Sequence, residues 1–280
     1  MSNYKLVALD LDGTLFNNQS KITEDNINEI RRVSEQGVHV VISTGRPYCG
    51  IPFTQIEGTG IEYAITTNGS SVYHIPDQKC IYENSMEPDM VLPIMDYLLS
   101  KNIHFDVFIN GDAFSPEKCV TVGQNLAVPE SLKNYILNSR KRISDMPAYI
   151  RKNNLRVQKI TMNFQKDENG ILVDREEIKT YFDSRTDVTC VCGGYNNLEF
   201  TKRGADKGNG LRQLAQYLDV PVADTIAIGD TENDLAIIQA AGVGIAMGNA
   251  TDAVKAASDD ITLSNEESGV AAALRKYFPE

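Results

Sequence analysis

The sequence predicts an α/β fold: a parallel-sheet core interrupted by an inserted α+β domain. Three observations predict it. Short apolar runs, Leu6-Val7-Ala8-Leu9, Val38-His39-Val40-Val41-Ile42 and Thr225-Ile226-Ala227-Ile228, have the length and continuous hydrophobicity of strands buried on both faces. Helix-period segments alternate with such runs in the first and last thirds of the chain. Between them, over residues 84–200, the rhythm changes. Strands there alternate polar and apolar residues, as in Lys159-Ile160-Thr161-Met162-Asn163-Phe164, which reads as a half-buried strand.

Each element follows from local signals. Thr23 is a good N-cap, Ile27, Ile30 and Val33 share one helical face, and Gly37 ends that helix. A strand over residues 38–42, a weaker helix and a strand over 63–67 come next. Asn68-Gly69 is a turn signal, with a hairpin through Val72 and Ile81. The last third begins with a helix over 207–218, carrying Leu211, Leu214 and Leu218 on one side. A strand over 225–228, a helix over 234–241 and a strand over 243–247 follow. A short helix near 251–256, a strand over 261–263 and a terminal helix after Gly269 complete the pattern. The domains expected are therefore a core built from residues 1–83 and 201–280 and an insertion of residues 84–200.

The 280 residues are 42% hydrophobic, enough for a full core, and carry a formal charge of −11. An acidic chain is a poor partner for anionic nucleic acid or membrane surfaces. The short basic runs, Arg140-Lys141-Arg142 and Arg151-Lys152, read as solvated faces. No apolar stretch approaches the roughly 18 residues of a membrane span. Five cysteines show no C-x-x-C spacing, and Cys190 and Cys192 would share a strand face as packing residues. The chain opens directly into a strand without a signal-peptide pattern, so a reduced, cytoplasmic setting is expected. The histidines, His39, His74 and His104, fall in predicted strands or the hairpin and read as core or edge residues.

Chemistry concentrates just after the apolar strands, where open parallel sheets bind ligands. Asp10-Leu11-Asp12-Gly13-Thr14 sets two carboxylates on one side of a strand end, with Gly13 permitting a tight turn. One such carboxylate can attack phosphorus and the other can shuttle a proton. Ser43-Thr44-Gly45-Arg46 offers a hydroxyl and backbone N–H groups to an oxyanion. Lys207-Gly208, at a helix start, offers an ammonium. Gly229-Asp230-Thr231-Glu232-Asn233-Asp234 is oxygen-only and carboxylate-rich, which matches Mg²⁺. Gly242-Val243-Gly244 is no dinucleotide fingerprint, because its glycines flank a strand instead of joining strand to helix.

These segments, in this order, resemble the four motifs of the haloacid dehalogenase-like hydrolase superfamily. The tail Ala241-Gly242-Val243-Gly244-Ile245-Ala246-Met247-Gly248-Asn249-Ala250, with Ser264-Asn265 beyond it, is similar to the Cof-type subgroup, which includes sugar-phosphate phosphatases. The resemblance implies a Rossmann-like parallel-sheet core with an inserted α+β cap domain. It implies Asp10 as nucleophile and Mg²⁺ ligand, and Asp12 as general acid/base with its carbonyl on the metal. Thr44, Gly45, Lys207 and Asn233 would hold phosphate, Asp230 would ligate Mg²⁺, and Asp234 would act nearby, either directly or through water. Thr231 and Glu232 receive no role.

The expected function is a Mg²⁺-dependent phosphatase of small phosphorylated metabolites, with sugar phosphates foremost, acting through an aspartyl-phosphate. The alternatives are a phosphomutase and a non-catalytic phosphometabolite-binding protein. Neither the physiological substrate nor the oligomeric state is legible. Substrate choice is expected in the insertion, with the loop Cys192-Gly193-Gly194-Tyr195-Asn196-Asn197 as first candidate and Arg46 assisting with a second anionic group.

Overall fold

A computed structural model of the chain describes residues 3–192 and 196–279. The chain divides into two compact units, Met1–Glu83 with Asp206–Glu280, and Asn84–Ala205. The return boundary lies after Ala205, and not after residue 200. The strand Leu198–Lys202 pairs with Lys159–Asn163 and Val188–Val191 within the second unit. Thr201 Oγ1 then donates to the Ala205 carbonyl at 2.8 Å.

The sheet of the first unit has eight strands among the described residues. Their order is Asp260–Ile261, Val243–Ala246, Thr225–Gly229, Leu6–Leu9, His39–Ser43, Tyr63–Thr66, Ser71–His74 and Lys79–Glu83. The first six are parallel. The last two strands pair antiparallel, as the expected hairpin through Val72 and Ile81 requires, and give the parallel core an antiparallel edge. The reversal at Asn68-Gly69 produces this edge, since a tight turn can join only antiparallel neighbours. Leu9 lies level with Ile228 on one side and Ile42 on the other, so Asp10, Ser43 and Gly229 leave the sheet side by side.

Both faces of this sheet are buried, which explains the continuous apolar runs. Val7, Leu9, Ile42 and Ile228 pack on one face with Ile30 and Val33 of helix Glu24–Glu35. That helix is capped by Thr23, whose Oγ1 accepts from Asn26 N at 3.3 Å. Leu6, Ala8, Val41, Ile65 and Ala227 pack on the other face with Leu211 and Leu214 of helix Lys207–Tyr217. Asp206 caps this second helix, accepting from Asn209 N at 2.8 Å. Its close seating depends on missing side chains. A Cβ on Gly210 would come within 2.5 Å of Ile65 Cγ2, and one on Gly69 (φ +86°) would press into the Asp206 carbonyl.

The second unit carries a six-stranded sheet among the described residues, in the order Val188–Val191, Leu198–Lys202, Lys159–Asn163, His104–Ile109, Asp112–Pro116 and Lys141–Ile143. Phe105, Val107, Ile160, Met162 and Phe200 form its apolar face, packed with Val91, Leu98, Ile178 and Phe182. The alternation of Lys159–Asn163 is real, but its polar face is buried as well. Burial is tolerated there because charges are paired. Lys159 Nζ lies 2.8 Å from Glu199 Oε2, and Arg140 Nε lies 3.0 Å from Asp106 Oδ2. Arg140 therefore leaves the solvated face expected of its run, while Lys141 and Arg142 remain exposed. The Val188–Val191 strand ends before Cys192. Within the loop singled out above, Gly193, Gly194 and Tyr195 lie outside the described residues, and the Asn196 carbonyl accepts from Arg175 Nε at 2.8 Å.

Gly69→Ala should destabilise the protein. A left-handed alanine alone costs about 1–2 kcal/mol, and displacement of the Asp206 cap adds to it. A lowered urea midpoint at unchanged m-value is expected; an unchanged midpoint would show that the helix start does not depend on this approach.

Candidate active site

The register brings Asp10, Thr44 and Asp230 to neighbouring strand ends in the first unit. Asp10 directly follows Leu6–Leu9, Thr44 follows His39–Ser43, and Asp230 follows Thr225–Gly229. Asp10 is buried, as are Asp230 and Asp234. The loop turns back over it: Leu15 N donates to the Asp10 carbonyl at 3.2 Å and Phe16 N to the Leu11 carbonyl at 2.8 Å. Asp12 lies outside this fold and is exposed.

Lys207 is the hub. Its side chain is 0% exposed, and Nζ donates to Asp10 Oδ1 at 2.6 Å and Asp234 Oδ1 at 2.5 Å. Asp234 spends its other oxygen on backbone, accepting from Asp230 N at 3.0 Å and Thr231 N at 3.2 Å. Gly229 makes room for that carboxylate, since a Cβ there would lie 2.5 Å from Asp234 Cγ. Thr14 Oγ1 donates to Asp230 Oδ1 at 3.0 Å, tying the first acidic loop to the second.

Oxygen atoms of Asp10, Asp230 and Asp234 all lie within 4.8 Å of one another. Three buried carboxylates thus face a single ammonium. Burial raises Asp10 well above the usual carboxylate range; Lys207 opposes this, and Asp234, Asp230 and Asp12 add to it. Burial, with Asp234, pushes Asp230 up to about 7 against the Thr14 hydrogen bond and Lys207. Burial alone would lower Lys207, but Asp10 and Asp234 reverse it and hold the ammonium above the ordinary lysine range. An oxygen-only donor set with surplus negative charge fits a hard divalent cation.

The remaining predicted residues surround this cluster. Thr44 is buried, and its Oγ1 accepts from Arg46 N at 3.1 Å. Gly45 stands between them, partly buried. Asn233 Oδ1 accepts from Thr231 Oγ1 at 2.8 Å, at the start of the turn Glu232–Asp234. Arg46 forms a two-pronged pair with Asp12, Nε to Oδ2 at 2.8 Å and Nη2 to Oδ1 at 2.6 Å, with its guanidinium over the Phe16 ring. Three features escaped the sequence reading: the Arg46–Asp12 pair, Thr14 as partner of Asp230, and Asp234 as direct partner of Lys207. Thr14 had a signal, a hydroxyl one residue past the turn glycine; the two ion pairs had none.

This architecture recurs among known proteins. The chain matches the model of the haloacid dehalogenase-like hydrolase family over residues 7–274 and belongs to that family. It is an enzyme, a hydrolase. It is similar to phosphatase YwpJ of Bacillus subtilis (strain 168), 29% identical over 282 residues, covering 95% of this chain and 97% of the relative. It is also similar to 5-amino-6-(5-phospho-D-ribitylamino)uracil phosphatase YitU of the same organism, 32% identical, covering 98% of this chain and 97% of the relative. A solved haloacid dehalogenase-like hydrolase from B. subtilis superposes with a TM-score of 0.83 at 28% identity, covering 97% of this chain and 99% of the other. Among the described residues, no helix is long and apolar enough to cross a membrane.

The raised Asp230 carboxyl has a consequence for stability. Between the unfolded value near 4 and the folded value near 7, the folded state binds the extra proton. Wild type without divalent metal therefore loses stability as pH rises through this window, and the loss persists above it. Asp230→Asn should raise the metal-free Tm at pH 8 by at least ~3 °C, the equivalent of roughly 1 kcal/mol, with the gain vanishing near pH 4. Calorimetry in chelator across this range checks it; a gain independent of pH contradicts the assignment.

Proposed function

We propose that this chain is a Mg²⁺-dependent phosphatase of small phosphorylated metabolites, acting through an aspartyl-phosphate on Asp10. The observation that carries the reading is the Asp10–Lys207–Asp234 cluster, set at parallel strand ends beside Asp230. Asp10, Asp230 and the Asp12 carbonyl would hold Mg²⁺. Asp234 would act on it only at a distance, because both its oxygens are engaged by Lys207 and backbone amides. When bound, the metal supplies charge neutralisation for an anionic nucleophile meeting an anionic phosphate.

The chain's own residues would do the rest. Thr44, Gly45, Lys207 and Asn233 bind the phosphoryl oxygens and align phosphorus with Asp10. A carboxylate oxygen of Asp10 attacks, the ester P–O bond breaks, and its electron pair leaves on the alcohol oxygen. Asp12, as the carboxylic acid, gives that oxygen its proton. Asp12, now a carboxylate, takes a proton from water as the water attacks phosphorus. Phosphate departs and Asp10 is regenerated. Arg46 holds both oxygens of the Asp12 carboxylate in this structure and would release one of them when Asp12 carries the proton.

Sugar and polyol phosphates are the substrates we favour. The YitU relative is named for a substrate with a phosphorylated ribityl chain, a polyol monoester. Every strand-end residue addresses the phosphate or the metal, which all monoesters share. Discrimination among leaving groups then falls to the inserted unit, acting as a cap. A cytoplasmic setting agrees with such substrates.

A panel of phosphorylated metabolites, scored for released phosphate with Mg²⁺ and again after chelation, tests this reading. Hydrolysis of sugar or polyol monoesters that chelation stops is expected. Isomerisation without phosphate release would instead indicate a mutase, and full activity in chelator would exclude the metal.

Asp10→Asn should reduce turnover to below about 1% while the protein stays folded, because the amide keeps the shape and loses the nucleophile. A variant retaining more than a few per cent of wild-type phosphate release sinks the assignment.

Asp12→Asn should lose roughly 10²–10⁴-fold on alkyl phosphates and much less on p-nitrophenyl phosphate, whose leaving group needs little protonation. Single-turnover rates that fall equally for both esters argue against a general acid at this position.

A further inference from the structure

The loop bearing Asp12 and Thr14 is held from outside by two asparagine side chains that no step above uses. Asn249 Nδ2 donates to the Gly13 carbonyl at 2.8 Å, and its Oδ1 accepts from Asn265 N at 2.9 Å. Asn265 Nδ2 in turn donates to the Phe16 carbonyl at 2.9 Å and reaches Asn18 Oδ1 at 3.5 Å. Chemistry dictates how Asn249 faces. A backbone carbonyl only accepts and a backbone N–H only donates, so a flipped amide would lose both bonds.

The fold assembles this pair from two segments that meet at a glycine. Gly248 N donates to the Leu263 carbonyl at 3.0 Å, and a Cβ at position 248 would come within 2.8 Å of Ser264 N. Ser264 and Glu267 close a capping box that fixes the turn carrying Asn265. Asn265 is itself buried, at 5% exposure, so its amide must find partners inside the protein.

The two carbonyls held this way bracket the far side of the catalytic loop. Gly13, at φ +86°, is the pivot between Asp12 and Thr14. Fixing its carbonyl fixes the plane of the next peptide, and with it Thr14, whose hydroxyl holds Asp230. The Asn249 segment also reaches the second acidic loop directly, since Thr251 N donates to the Asp230 carbonyl at 3.0 Å. One stretch of chain therefore bonds both loops.

We propose that Asn249 and Asn265 form a positioning relay that keeps Asp12 and Thr14 in register with Asp230. The inference rests on the phosphatase reading for its kinetic consequence and on geometry for the rest. Displacement of a reacting group by about 1 Å costs on the order of a hundredfold in rate, so a loop held less firmly should turn over slowly while still binding substrate.

The test combines kinetics on an alkyl phosphate that the wild type hydrolyses with amide hydrogen exchange over residues 11–16. Asn249→Ala should lower kcat by about tenfold or more with KM within about twofold, and exchange across the loop should accelerate. Asn249→Asp keeps the acceptor for Asn265 N but sets a carboxylate oxygen against the Gly13 carbonyl, so it should be at least as slow. Asn265→Ala keeps the backbone N–H that Asn249 accepts from and loses only the side-chain donor to the Phe16 carbonyl, so it should be milder, and the double alanine variant should be slower than either single variant. Ser258→Ala removes a hydrogen bond to the Lys255 carbonyl in the same part of the chain and should change neither readout. Wild-type kcat in Asn249→Ala or Asn249→Asp, or unchanged loop exchange, would each overturn the relay. If the wild-type protein hydrolyses no phosphate ester, the phosphatase reading fails, and loop exchange alone decides whether the relay exists.

Discussion

The first unit is organised around a buried ammonium that cannot be left alone. Lys207 has no solvent to share its charge with, so it holds Asp10 and Asp234 at hydrogen-bond distance. Removing one partner of such a buried pair typically costs about 3–5 kcal/mol, because the other charge is left uncompensated. The partners come from opposite ends of the chain. Through them the Leu6–Leu9 strand, the Lys207–Tyr217 helix and the loop after Thr225–Gly229 are locked into one arrangement. The glycines at 69, 208 and 210 are what permit the lysine's helix to sit close enough.

This lock is electrostatically incomplete. A third carboxylate, Asp230, shares the same low-dielectric space, and burial first, with repulsion from Asp234 behind it, raises its protonation range. Proteins keep such unfavourable arrangements where chemistry needs them. A divalent cation would relieve the repulsion that a single lysine cannot. Asp12 has the opposite situation. It is exposed and paired with Arg46, outside the buried cluster, and so is free to differ from Asp10 in role despite lying two residues away. Burial sets apart two chemically identical side chains.

The supporting contacts obey a similar division. Thr14, Asn249 and Asn265 carry no charge, yet they hold the backbone between the charged groups. The second unit solves a different problem in the same terms. Its sheet buries both faces, and the polar one is tolerated because Lys159 meets Glu199 and Arg140 meets Asp106. Alternation in a strand reports which residues share a face. It does not report whether that face meets water.

Local and repetitive physics was legible in the sequence. Continuous apolar runs marked the strands at Leu6, Val40 and Thr225, Thr23 marked a helix start, and residues that cluster at strand ends were picked out because parallel sheets present those ends together. The antiparallel edge after Asn68-Gly69 was legible as a turn signal followed by a hairpin through Val72 and Ile81. Burial of Asp10, the pairing of Arg46 with Asp12, and the embrace of Gly13 by Asn249 were not legible. Each joins residues far apart in the chain, and nothing local to either partner encodes the distance between them. The amino-acid order by itself determined which groups this protein could bring to a phosphate. Only the tertiary structure decided which of them are taken out of water and which face each other, because desolvation and ion pairing depend on the neighbours that packing supplies.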